Sequence, residues 1–300
     1  MSVSNHGWLI AGGWGLVAGA ALVLGALLAM AVELPHRVIA AVMGFGSGVL
    51  VHVLASQLIR EAVDSGRLSV TLGSFMGGAA VFSGANWLLA KHGAKHRNRC
   101  GGCVQQPKEH EAPGSGLAIA IGALLDGIPE SLIIGLSVRD GEVALAVVAG
   151  FFISNLPQGL SSASGMKQAG RSKVYVLSVW IAIAVASGAA AAIGHAALDG
   201  ATAGLQASIK AFAAGALLAM LAETMIPEAF EKTQSFIGLI TASGFFAALV
   251  LAHAMSPGAA AAPPDQAPTA ARDHKARQHT FRPAAAVVPC SSASTSASSR

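Results

Sequence analysis

Eight apolar runs, at about 8–32, 37–59, 68–90, 116–138, 142–164, 174–198, 206–230 and 236–255, fill most of this chain. A helix crosses the hydrocarbon of a bilayer in about 20 residues, and each run reaches that length. Lipid offers no partner for a bare N–H or C=O, so a spanning segment must bond its own backbone. The sequence therefore predicts an all-α integral membrane protein with eight transmembrane helices. Composition agrees: 53% of the residues are hydrophobic and 11% charged, against about 25% charged in soluble globular chains. The expected organisation is a membrane unit over residues 1–255 and a tail at 256–300. That Ala/Pro/Ser-rich tail has too few bulky apolar side chains to order itself. A large soluble domain is excluded.

The net charge of +4 would suggest nucleic acid if it were gathered on one soluble face, but it lies in the connections between spans, so no nucleic-acid partner is expected. The connection over 91–115 and that between the fifth and sixth runs hold Lys91, Lys95, Arg97, Arg99, Lys108, Lys167, Arg171 and Lys173. The opposite side offers Arg60, Arg67, Arg139 and Lys210. The positive-inside rule then puts the two basic connections in the cytoplasm and both termini outside, in a plasma (inner) membrane. The first run follows a start without Lys or Arg and exceeds a signal-peptide core, so it reads as a first span, although Ala29-Met30-Ala31 resembles a cleavage site. Cys100, Cys103 and Cys290 make no disulfide framework. Four-residue glycine spacings, Gly15 with Gly19 and Gly73 with Gly77, predict close helix approach in the first and third spans.

Ionisable side chains in mid-membrane are costly and mark function. In "ALLDGIPESLIIGLS" Asp126 and Glu130 lie four residues apart on one helix face. Two bare charges in hydrocarbon would protonate or hold a cation. Pro129 between them has no N–H, so the carbonyl of Leu125 loses its helical donor and adds an oxygen nearby. The fifth run repeats the pattern in neutral form, with Ser154, Asn155, Pro157 and Gln158 at matching offsets. Ser, Asn and Gln also serve as plain interhelical glue, but glue seldom needs two acids on one face. The seventh run has Glu223 four residues before Pro227, and the second has His52 on an apolar stripe. Both are candidates for a pathway, with a packing histidine as the plainer reading of His52. In the 91–115 connection His92, His96, Cys100, Cys103 and His110 suit metal capture by a mobile loop. A basic membrane-surface loop would look the same.

The segments "DGIPESLIIGLS", "SNLPQGLSS", "FAAGALLAMLAETMIPEAFE" and "GFGSGVLVHVL" together resemble the Zrt/Irt-like, or ZIP, family of divalent metal transporters. The resemblance implies an eight-helix bundle with outward termini, a homodimer, and a variable loop between the third and fourth helices. It also implies a metal site between the fourth and fifth helices, in H-N-x-P-E-G-like motifs, and passage of zinc, iron, manganese or cadmium toward the cytoplasm. This chain departs from that motif at Asp126 and Gly127, where His and Asn are usual, and at Gln158, where Glu is usual. What remains is Asp126 and Glu130 as anionic donors and Ser154, Asn155 and Gln158 as neutral ones, enough charge for one divalent ion. The expected function is transport of a divalent transition metal, zinc first by family likeness, with manganese or ferrous iron suited to all-oxygen donors. The ion is substrate, and no resident cofactor or covalent chemistry is expected. A non-transporting metal-binding or sensing relative is the alternative; an intramembrane hydrolase finds no H-E-x-x-H motif to support it.

Overall fold

The computed structural model describes residues 6–58, 68–91, 115–139, 145–198, 200–232 and 236–255. Its helices are α1 (Gly7–Ala31), α2 (His36–Val53), α3 (Leu68–Leu89), α4 (Ser115–Arg139), α5 (Leu145–Gln168), α6 (Lys173–Ala197), α7 (Ala203–Met220), α8 (Ile226–Lys232) and α9 (Ile237–Met255). A π-helical turn, Leu221–Met225, joins α7 and α8 into one span. Eight helices are thus long and apolar enough to cross a membrane, as the hydropathy pattern requires. The predicted loop donors His92, His96, Cys100, Cys103 and His110, and the tail at 256–300, lie outside the described residues.

The π turn has a local cause. Pro227 gives no N–H and its ring would press on the carbonyl of Glu223, so the chain widens by one residue just before it. Thr224 helps by donating its Oγ1 hydrogen to the Met220 carbonyl at 2.7 Å. A second π turn, Leu54–Leu58, ends the α2 span. Between α5 and α6 the turn is set by Gly170, at φ 80°, which a residue without Cβ adopts freely. The Arg171 N–H closes back on the Met166 carbonyl at 3.1 Å, and Ser172 Oγ caps α6 by accepting from the Tyr175 N–H at 3.2 Å.

Helices in lipid gain little from the hydrophobic effect between themselves, so association depends on close packing of small residues. Two groups result. In one, α1 packs along α5 and α6 while α4 packs on α6; in the other, α3 packs on α7 and α9 on α2. Contacts of α2 with α5 and of α4 with α7 join them. In α1 the expected glycines do this work: a Cβ on Gly15 would fall 2.8 Å from the Ser187 carbonyl oxygen, and one on Gly19 would fall 2.8 Å from Ala184 Cα. In α3 the expectation is corrected. Gly73 has open space around it and Gly77 meets only the edge of the Phe212 ring, whereas a Cβ on Gly78 would lie 1.9 Å from the Phe212 carbonyl oxygen. The contact face of α3 is therefore one residue round from the four-residue glycine pair.

Candidate metal centre between α4 and α5

The middle of α5 is buried almost without interruption from Ser154 to Met166, because α1 lies against it backbone to backbone. A Cβ on Gly25 would stand 2.2 Å from the Leu156 carbonyl oxygen, and one on Gly159 would stand 2.2 Å from that of Leu22. Glycine at both positions is what permits the approach. At that separation Asn155 can reach across, and its Nδ2 donates to the Ala18 carbonyl at 3.2 Å. The Asn155 Oδ1 in turn accepts from Gln158 Nε2 at 3.3 Å. The amides of α5 are thereby oriented by α1 and by each other.

Asp126 and Glu130 of α4 are both 3% exposed. The spacing of one helical turn places them on a common face, as expected, and the groups acting on the Glu130 carboxylate are Asn155, Asp126 and Gln158. Four of the five predicted donors therefore converge. Among the described residues, no lysine or arginine is one of the groups acting on Glu130. Its Oε1 is buried and has no hydrogen-bond partner among the described residues, which leaves a carboxylate oxygen with capacity unused. Ser154, the fifth, is fully buried and donates its hydroxyl hydrogen to the Phe151 carbonyl at 3.0 Å. Its backbone faces α2 at Gly46; its hydroxyl oxygen keeps lone pairs for a ligand. Prolines inside both helices, Pro129 and Pro157, deprive the carbonyls of Leu125 and Ile153 of their helical donors.

Among the described residues, no cluster of three or more His, Cys, Asp or Glu side chains can hold a metal. Any ion held here has two carboxylates, with amide, hydroxyl and carbonyl oxygens completing its shell. Such a set is hard in character, suited to Mn²⁺ or Fe²⁺ and acceptable to Zn²⁺.

The pathway candidates lie elsewhere. His52 is buried with its ring edge-on to Phe245 of α9, centroids 5.1 Å apart and planes at 83°, and its Nε2 has no partner. Glu223, in the π turn, accepts hydrogen bonds from Ser83 Oγ and, at 2.7 Å, from Asn86 Nδ2 of α3. Sequence reasoning misses Ser83 and Asn86. Their three-residue spacing on one face of α3 is the available signal, obscured because α3 also carries Ser69, Thr71 and Ser74. Hydrogen bonds between helices in lipid average well under 1 kcal/mol and reach about 1.7, so Asn86→Ala should lower stability by about 1 kcal/mol. Thermal unfolding in detergent checks this; no change in melting would mean the contact is idle. His195, in the last turn of α6, bridges helices, with Nδ1 at 3.2 Å from the Gly135 carbonyl oxygen of α4.

In sequence comparisons, no family model and no curated protein matched this chain.

Proposed function

We propose that the protein carries a divalent transition metal cation across the plasma membrane toward the cytoplasm, holding it between α4 and α5 on the way. The observation that carries this reading is the buried acid pair Asp126 and Glu130, set against the oriented amides of Asn155 and Gln158, with one Glu130 oxygen unpartnered. Two carboxylates neutralise one divalent charge, and amide, hydroxyl and proline-freed carbonyl oxygens replace the waters lost on entry. The likeness of the motifs to the ZIP family adds zinc to manganese and ferrous iron as cargo, and homodimerisation as an assembly. Relative movement of the two helix groups, which meet where α2 touches α5 and α4 touches α7, would open the site to one side and then the other. His52 and Glu223 are assigned to relay along the path. No covalent step is involved, so the protein is not an enzyme.

A non-transporting metal sensor is the second reading, favoured by Gln158 and Asp126, which stand where the family motif usually has Glu and His. Uptake into proteoliposomes separates the two. Zn²⁺, Mn²⁺ or Fe²⁺ should enter protein-loaded vesicles faster than empty ones and compete with each other. Binding without flux would select the sensor.

A further inference from the structure

The α2 and α9 helices touch backbone to backbone at two glycines. A Cβ on Gly48 would lie 1.9 Å from the Thr241 carbonyl oxygen, and one on Gly244 would lie 2.0 Å from that of Phe45. Before this crossing a groove of about 450 Å³ opens between the helices, lined by Arg37, Val38, Ala41, Val42, Phe45 and Ile240. Its walls are apolar except at the end, where Arg37 stands in the first turn of α2. Arg37 makes no ion pair among the described residues. It also stands at the positive end of a helix dipole, where a cation is disfavoured unless an anion is near. Lys167 differs: it reaches the Ala29 carbonyl at 3.4 Å and Glu33 at 3.7 Å. Those contacts also place the 32–35 connection on the same face as the basic 167–173 turn, the face that the positive-inside rule gives to the cytoplasm.

We propose that this groove binds an anionic glycerophospholipid of the inner leaflet, with its phosphate on Arg37 and an acyl chain along Val38, Ala41, Val42, Phe45 and Ile240. The groove opens toward the bilayer, since Val38 beside it and Phe236 and Leu239 at the start of α9 are exposed. A phosphate answers both the guanidinium and the helix end, and an acyl chain fills an apolar slot that water would not wet. Cytoplasmic leaflets supply such anionic lipids, and basic sites between helices on that side hold their headgroups.

Native mass spectrometry of the full chain in detergent, titrated with phosphatidylglycerol or phosphatidylcholine, tests the assignment independently of any metal. The wild type should hold phosphatidylglycerol about fivefold more tightly, the worth of one basic side chain at a membrane surface. Arg37→Gln should bring the two lipids level, and Ala41→Phe, which fills the groove, should release both. Arg37→Lys, which keeps the charge, should retain the preference and shows that loss in the glutamine variant is not misfolding. Equal binding of the two lipids by the wild type, or a preference that survives either Arg37→Gln or Ala41→Phe, would overturn the proposal.

Discussion

Replacing Glu130 with glutamine should reduce metal uptake by about 100- to 1,000-fold while leaving the bundle folded. The substitution keeps the shape of the side chain and removes one of two charges that face the bound ion. Taking one partner from a buried ionic set costs about 3–5 kcal/mol, because the other charge is left uncompensated, and each 1.4 kcal/mol is about tenfold in affinity. Asp126→Asn should act in the same direction, since both carboxylates share the face of α4 and are equally buried. The two losses should not add: once either charge is gone, the remaining one no longer matches a divalent ion, so the double variant falls little below the singles. Initial rates of radiolabelled zinc or manganese uptake, normalised to folded protein, measure all three. Additive losses would mean that the two acids act at separate places.

The second large effect concerns assembly. Gly215→Val should unfold the α3–α7 seam. A Cβ there would fall 1.8 Å from the Phe75 carbonyl oxygen and 3.1 Å from the Ala79 nitrogen, while a Cβ on Gly78 meets the Phe212 carbonyl in return. Backbone cannot rotate out of the way as a side chain can. Overpacking costs about 1–3 kcal/mol where side chains yield, so a clash with backbone belongs at or above the top of that range. That is a large part of a typical stability of about 5–15 kcal/mol. Gly73→Ala is the control, because nothing lies within 4 Å of the point where its Cβ would stand, and it removes a residue that disfavours helix by about 1 kcal/mol. Fluorescence size-exclusion profiles after heating should show Gly215→Val lost and Gly73→Ala unchanged or improved. A stable Gly215→Val protein would mean that α3 does not lie against α7 at that point.

The eight spans are legible because in lipid apolar length alone nearly fixes a helix. Asp126 and Glu130 are legible for a related reason: an acid in such a run stands out against everything around it, and four-residue spacing sets a common face. Which residues meet across helices is harder to read. Gly73 with Gly77 satisfies the small-residue spacing, yet Gly78 makes the contact, since rotation of a helix about its axis depends on its neighbours and not on its own sequence. Likewise Gly25 and Gly159 belong to segments far apart in the chain, and nothing local announces that each meets the other's helix. Asn155 illustrates both sides. Its polarity marks it as a donor, but its bond to the Ala18 carbonyl exists only because those two glycines bring α1 close. His195 looks like a residue of the span end, and it takes a half-buried position against Gly135 for the same kind of reason.

All of the functional account depends on a cation being held by Asp126 and Glu130. Equilibrium dialysis of purified protein against zinc and manganese, with bound metal counted by mass spectrometry, tests this most directly when the wild type is set beside the Asp126→Asn, Glu130→Gln double variant. Any capture by the 91–115 connection is common to both chains and cancels in the difference. The wild type should hold about one more ion per chain, the number that two carboxylates neutralise. Equal metal content in the two proteins, with both folded, would contradict it.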